Sequence, residues 1–360
     1  MMSIISRYVL KEYLKIFFMT LAALLAVYLA IDFLEKIRKF SQKDAELIWV
    51  ARYFLYKLPK VVFDIAPLAL LLATLLTLGT LSKNNEVVAL KSAGVGVLRL
   101  SAPLLLFAAF VSLLFFYLNG SLIPGTYKKA RLIQQVKIEK RDQGGLVQNK
   151  IWLRLDSRTL FNIELIHPDK TSMEGVNIYY LGADFSLPEE IEAQTLTYEK
   201  GEWTLSNGVH RKFLSDGTVQ FERFIRKPIP LDKKPEDFQR VSADPNEMTY
   251  EKLTSYIHRL NQDGFDSTRY QVDLRGKQAF PFVNFMMVLI GIPFALGDRR
   301  SAGFARGVAM SLAMGLFYWL IYSMTLSLGH VAVFPPWLAG WGANILFLGA
   351  GLYFFLNIRQ

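Results

Sequence analysis

The chain has 360 residues, is 52% hydrophobic and 14% aromatic, and carries a formal charge of +10, a balance too apolar for an ordinary soluble protein of this length. It has no cysteine, which excludes a disulfide framework, a cysteine-ligated metal site and a cysteine nucleophile. The positive charge would suit a phosphate backbone. No aromatic–basic stacking platform or helix-turn-helix pattern accompanies it, however, and Lys and Arg gathered beside apolar segments are what a membrane protein uses to fix its orientation. No nucleic-acid partner is expected.

Nearly uncharged stretches of roughly 17–25 residues recur, enough to cross about 30 Å of hydrocarbon at 1.5 Å per residue. The first covers 13–33, after Arg7 and Lys11. It is long for a signal peptide and no small-x-small site follows, so a retained span is expected. A charged segment comes next (Glu35, Lys36, Arg38, Lys39, Lys43, Asp44, Glu46), then an amphipathic stretch at 47–60. The second span is 61–81, with Asp64 near its outer end and Pro67 inside it. A short connection with Lys83, Glu86 and Lys91 leads to a third span, 98–118, ending at Asn119-Gly120.

From 121 to 271 the pattern changes. Strand-like runs occur at 151–156, 160–166, 176–181, 193–198, 202–205, 209–214 and 218–225, with Ser206-Asn207-Gly208 and Ser215-Asp216-Gly217 read as turns. Short antiparallel strands at this spacing predict a sandwich or jelly roll. After Asp244-Pro245 the period turns helical, with Leu253, Tyr256, Ile257 and Leu260 on one face, Thr249 as cap and Gly264 as stop. Three more spans follow at 280–296, 307–328 and 337–356. The expected fold is an α-helical membrane domain of six transmembrane helices plus an all-β, jelly-roll-like domain. Its parts are helices 1–3 in 1–120, a β domain with a trailing helix (248–262) in 121–271, and helices 4–6 in 272–360.

Charge asymmetry sets the expected orientation. With the N-terminus inside, that side receives Arg7, Lys11, Lys83, Lys91, Arg99, Arg299, Arg300, Arg306 and Arg359. The β block then falls outside, and both termini inside. One connection breaks the rule: Lys36, Arg38, Lys39 and Lys43 would lie outside. Either the hand is reversed or those cations have a task there.

Signs of catalysis are absent. There is no Walker A loop and no G-x-S-x-G elbow. His167, His210, His258 and His330 are scattered without metal-helix spacing, and Glu189-Glu190 reads as a solvated turn. The span centres carry almost no ionisable residues, which argues against proton-coupled transport. No catalytic residue, metal or cofactor is expected in this chain.

Several segments resemble the lipopolysaccharide export permeases of the LptF/LptG family. They are Leu78-Gly79-Thr80-Leu81-Ser82, the run Asn85-Glu86-Val87-Val88-Ala89-Leu90-Lys91-Ser92-Ala93-Gly94, Pro103, Trp203-Thr204-Leu205 and Gly208. Met248-Thr249, Leu253, Tyr256-Ile257, Leu260, Gly264, Lys277, Pro281, Gly291-Ile292-Pro293, Pro335-Pro336 and Asn344 continue the series. Each piece is short, but their order around a central β block is specific, and Pro335-Pro336 with the short C-terminus looks more like the LptG type. The resemblance implies an inner-membrane ABC-transporter permease subunit with a periplasmic β-jelly roll. It would extract lipopolysaccharide from the outer leaflet and pass it to a periplasmic jelly-roll bridge. The implied partners are a homologous LptF-like six-helix subunit, an LptB-like cytoplasmic ATPase dimer that uses the ATP, an LptC/LptA-like jelly-roll protein, and lipopolysaccharide itself.

The resemblance also makes 84–96 the coupling helix that meets the ATPase, with Glu86 as its acidic residue and Asn85, Val87, Leu90 and Lys91 around it. The plainer alternative is a lipid-facing loop with a solvated Glu86. Lys36, Arg38, Lys39 and Lys43 become candidates for the lipid A phosphates. Against that stands a solvated turn half-neutralised by Glu35, Asp44 and Glu46, and Asp32 stands where LptG-type relatives often carry a basic residue. Two other classes stay open: a membrane-anchored envelope enzyme, and a mechanical ABC subunit with no substrate cavity.

Overall fold

The computed structural model describes residues 4–43, 45–139, 151–154, 158–166, 171–182, 186–199, 201–214, 217–231, 244–262, 266–297 and 304–358. Asp44, His167, Ser215, Asp216, Gly264, Arg299, Arg300 and Arg359, all named above, lie outside the described residues. The chain divides into two units, one built from 1–134, 245–259 and 266–360, the other from 135–244 and 260–265.

Among the described residues, the first unit contains six helical segments long and apolar enough to cross a membrane: Ile4–Arg38, Leu47–Lys83, Val97–Gly120, Thr268–Leu296, Gly307–His330 and Pro336–Leu356. Helix α1 (Ile4–Gln42) extends well past the apolar run at both ends. Helix α2 (Leu47–Lys83) joins the amphipathic stretch and the second span into one rod, continuing through Pro59 and Pro67. After the short α3 (Glu86–Ser92) come α4 (Val97–Gly120) and α5 (Leu122–Leu132). Helix α5 occupies residues that the change of period grouped with the strands. It packs on α2 through one face, where Ile123, Pro124 and Ala130 are buried.

Helices α6 (Tyr250–Gln262), α7 (Thr268–Ala279), α8 (Val283–Gly297), α9 (Phe304–His330) and α10 (Pro336–Leu356) complete the unit. Thr249 caps α6, its Oγ1 accepting from the Lys252 amide at 3.3 Å. The centre of the bundle is α2 packed on α8. Gly291 allows their close approach, since a Cβ there would lie 2.9 Å from Leu71 and 3.1 Å from Thr74. Of the residues in the most apolar stretch of each span, 78% and 72% are buried within the chain in spans 2 and 4, against 17% and 11% in spans 1 and 5. The outer spans therefore keep an exposed apolar face, Phe18, Val27, Ile31 and Leu34 on α1 and Leu316, Trp319, Leu320 and Met324 on α9.

Span 4 is broken between α7 and α8 by a 3-10 turn, Phe280–Phe282. Pro281 has no N–H for the carbonyl of Lys277. Side chains from other helices take over: Asn119 Nδ2 donates to that oxygen at 2.9 Å, and the Tyr250 hydroxyl, 3.3 Å away, shares its one proton between it and Phe116 O at 3.2 Å. The neighbouring carbonyls of Gly276 and Ala279 accept from Tyr322 Oη at 3.2 Å and Asn344 Nδ2 at 2.7 Å. A break where the polar α7 passes into the apolar α8 is stable only when its freed carbonyls are satisfied in this way. Burial pushes the Tyr250 hydroxyl up to about 12.

The second unit is a six-stranded antiparallel sheet in simple sequential order, β1 (Ile151–Arg154), β2 (Thr159–Ile166), β3 (Ser172–Tyr180), β4 (Glu189–Glu199), β5 (Glu202–Phe213) and β6 (Val219–Ile229). Ser206-Asn207-Gly208 is not a turn. It lies inside β5, and 202–205 and 209–214 belong to one strand. The turn chemistry is nevertheless used, because Asn207 has φ +51° and Gly175 on β3 has φ +63°.

Both belong to one transverse row, Glu164–Gly175–Gln194–Asn207–Ile225, at which the cross-strand pairing of β2 through β6 skips one pair and resumes in the same register. Across that row the buried positions change parity. They are Met173 then Val176 and Ile178 on β3, Ile191 and Ala193 then Leu196 on β4, and Trp203 and Leu205 then His210 on β5. The sheet is creased, and a groove of about 710 Å³ runs along the crease. One apolar cluster, including Phe161, Ile163, Met173, Ile178, Leu196 and Trp203, fills its buried face.

Candidate functional site

Glu86 and its neighbours form a compact helical turn between spans 2 and 3. Helix α2 runs to Lys83, and Asn85, at φ +57°, reverses the chain so that Glu86 opens α3. A carboxylate in the first turn suits the positive end of the helix dipole. The helix stops by a Schellman arrangement: Gly94 N–H bonds to Lys91 O at 3.0 Å and Val95 N–H to Leu90 O at 2.9 Å, with Gly94 at φ +79°. Val87 is buried in the main core and Leu90 packs against it. Ala89, Ser92 and Ala93 are exposed, so α3 is anchored by one face and offers the other.

Both oxygens of Glu86 are engaged. Tyr8 donates its hydroxyl proton to Oε2 at 3.0 Å and Asn84 Nδ2 donates to Oε1 at 3.3 Å. Tyr8 lies 78 positions earlier, on the first turns of α1, and nothing in the linear sequence marks it. Lys91 lies in the last turn of α3, where a cation opposes the negative end of the dipole.

At the other end of α1 the four candidate cations have different surroundings. Lys36 Nζ lies 2.8 Å from Asp32 Oδ1 and 2.5 Å from the Tyr53 hydroxyl. Lys57, from α2, lies 2.7 Å from Asp32 Oδ2. Lys36 also stands over the Tyr53 ring at 4.9 Å, and Lys57 over the Tyr28 ring at 5.4 Å. Asp32 is only 7% exposed. A carboxylate so buried needs compensation, and the second lysine leaves this trio with net charge +1. Lys36 is therefore a partner of Asp32 before it is anything else. Arg38 and Lys43 are exposed, while the Lys39 side chain lies outside the described residues. Sequence reading missed Lys57 and Tyr53; the position of Lys57 on the amphipathic stretch, a few turns of helix from the charged segment, was the available signal. Among the described residues, no group of three or more His, Cys, Asp or Glu side chains could hold a metal ion.

The description "Lipopolysaccharide export system permease LptF/LptG" belongs to the family model that matches residues 7–357, nearly the whole chain. The chain belongs to the LptF/LptG family. Among curated relatives it is 23% identical over 337 residues to the lipopolysaccharide export system permease protein LptG of Escherichia coli (strain K12), covering 92% of each chain. It is also 23% identical over 333 residues to LptG of Haemophilus influenzae (strain ATCC 51907 / DSM 11121 / KW20 / Rd), covering 89% of each. This LptF/LptG member thus carries its Glu86 turn and its Asp32 cluster at opposite ends of α1.

Proposed function

We propose that this chain is the LptG-type permease subunit of an inner-membrane lipopolysaccharide exporter. In this reading it pairs with a homologous LptF-like subunit and is driven by an LptB-like cytoplasmic ATPase dimer. The observation that carries the reading, beyond family membership, is the contrast between spans 2 and 4, buried within the chain, and spans 1 and 5, 17% and 11% buried. Exposed Phe18, Val27, Ile31 and Leu34 on α1, with Leu316, Trp319, Leu320 and Met324 on α9, give two apolar walls. A lipid whose acyl chains each lose about 0.8 kcal/mol per methylene exposed to water needs such walls rather than a wet pore.

Energy enters at α3. The cations Arg7, Lys11, Lys83, Lys91 and Arg99 support a cytoplasmic position for that end of the bundle, where the exposed face of α3 receives the ATPase and Glu86 pairs with a cation of that partner. The β unit is then periplasmic and works as a jelly roll. Arg38, Lys39 and Lys43, with the net cation of the Asp32 cluster, meet substrate phosphates at the outer leaflet. The lipid follows the apolar face of the creased sheet, where Phe161, Ile163, Met173, Ile178, Leu196 and Trp203 cluster. An LptC/LptA-like jelly-roll protein continues the path by strand addition at an edge strand of the sheet, β1 or β6.

Affinity purification in mild detergent tests the assignment. A second six-span subunit and an ATPase should co-purify in fixed ratio, and ATP should drive lipopolysaccharide out of proteoliposomes holding the complex. Recovery of the chain alone, with no ATPase, would reject it.

A further inference from the structure

We propose that Tyr8 is a positioning residue for the coupling carboxylate, fixing Glu86 and tying the first turns of span 1 to the coupling helix. The inference rests on the reading of α3 as the element that receives the ATPase. Three observations carry it. The Tyr8 hydroxyl donates to Glu86 Oε2 at 3.0 Å while Asn84 holds Oε1 at 3.3 Å, so the carboxylate has a defined orientation. The same two segments also share apolar packing: Val9 and Val87 are both in the main buried cluster, and Ile5, Leu10 and Leu90 pack against it. Further along, span 1 is tied to span 2, through the Tyr13 hydroxyl to Leu70 O at 3.3 Å, Thr20 Oγ1 to Ala69 O at 3.4 Å and the Asp32–Lys57 pair at 2.7 Å. The Tyr8 contact at its first turns adds a tie to α3 that these do not provide.

The consequence is mechanical. Helix α3 is joined covalently to spans 2 and 3, which lets a push on α3 reach them without any special device. Span 1 has no such connection to α3. The Tyr8–Glu86 hydrogen bond supplies one, from the side chain that meets the ATPase to a span that lines the lipid path. Tyr8 is half exposed, so the bond contributes little to stability by itself. It acts by orienting a charged group, for which a hydrogen bond matters more than between neutral partners.

A double-mutant cycle on the reconstituted full complex tests this. Tyr8→Phe removes only the hydroxyl, and it should lower lipopolysaccharide released per ATP hydrolysed by about threefold to tenfold, with ATPase recruitment and complex yield unchanged. In a Glu86→Ala background the same change should add nothing. The cycle is also read in the lipopolysaccharide-dependent ATPase rate of the reconstituted complex, so a Glu86→Ala complex with no residual transport still reports. An equal further loss in that background would mean that Tyr8 acts elsewhere and would overturn the proposal. A silent Tyr8→Phe beside a damaging Glu86→Ala would also overturn it, leaving the coupling role of α3 intact. A silent Glu86→Ala would remove that role and this inference together.

Discussion

Asn119 donates its side-chain amide to the carbonyl oxygen of Lys277, 2.9 Å away across 158 positions of sequence. The bond exists because Pro281 cannot supply an N–H to that oxygen, and the Tyr250 hydroxyl shares the duty at 3.3 Å. Span 4 is thus held at its break by α4 and by α6. Lys277 adds another tie, its Nζ bonding to Met248 O at 2.5 Å and Pro245 O at 3.2 Å just before α6.

Removing one donor should be tolerated, since the other remains. Asn119→Ala and Tyr250→Phe are each expected to cost about 1 kcal/mol, seen as a drop of a few degrees in apparent Tm in detergent. The double variant orphans the Lys277 oxygen and should lose more than the sum of the two. Strict additivity would show that the carbonyl finds another partner.

Tyr250 also predicts an alkaline dependence. Its folded value, about 12, lies above the ordinary phenol value of 10.0 because burial favours the neutral form. Its contribution is whole below pH 10, and it declines as pH rises towards 12, because there the unfolded chain holds fewer protons than the folded one. Wild type should therefore lose more stability than Tyr250→Phe between pH 10 and 12. Parallel unfolding profiles would contradict this.

Asp32→Asn leaves Lys36 and Lys57 facing each other without their shared anion. A loss of about 1–3 kcal/mol is expected, less than for a fully buried pair because both lysines keep some solvent contact. Adding Lys57→Met should restore much of it. If thermal stability is indifferent to Asp32→Asn, the cluster is not structural.

Gly94 has open space where a Cβ would stand but a φ of +79°, so Gly94→Ala is strained by conformation alone. The cost should be about 1 kcal/mol, enough to fray the end of α3. Transport per ATP should fall while membrane insertion stays normal, and an unchanged transport ratio would show that the Schellman stop is dispensable.

At the crease, Gly175 combines φ +63° with a Cβ site 2.6 Å from the Glu164 side chain. Gly175→Val should destabilise the β unit by at least about 2 kcal/mol. Limited proteolysis of the full chain would then cut within 151–229 faster than in wild type, with the helical unit spared. Equal cutting would mean that the crease does not need this glycine.

Much of the bundle was legible because a membrane span announces itself by length and lack of charge, a signal that needs no partner to be read. The helix after Thr249 was legible for a similar reason, with its cap and its Leu253–Ile257 face both local. The sheet was harder. Ser206-Asn207-Gly208 has turn composition because Asn207 adopts a turn-like φ, but only the positions opposite it, Gln194 and Ile225, reveal that the strand continues. The α5 segment carries Lys128, Lys129 and Arg131 and so looked like part of the polar block; its burial against α2 comes from a single face. At the candidate site the Glu86 turn is a local motif, whereas Tyr8 and Lys57 join their clusters through tertiary contacts that leave no linear trace.

Photocrosslinking to lipopolysaccharide tests the central claim most directly. Probes at Val27 on span 1 and Met324 on span 5, 58% and 64% exposed, are compared with Leu71 in the buried centre of span 2. Lipid adducts at the first two positions and none at Leu71 are predicted, with the adducts fading when ATP turnover empties the complex. Absence of adducts at Val27 and Met324 in a complex that still releases lipopolysaccharide would contradict the account.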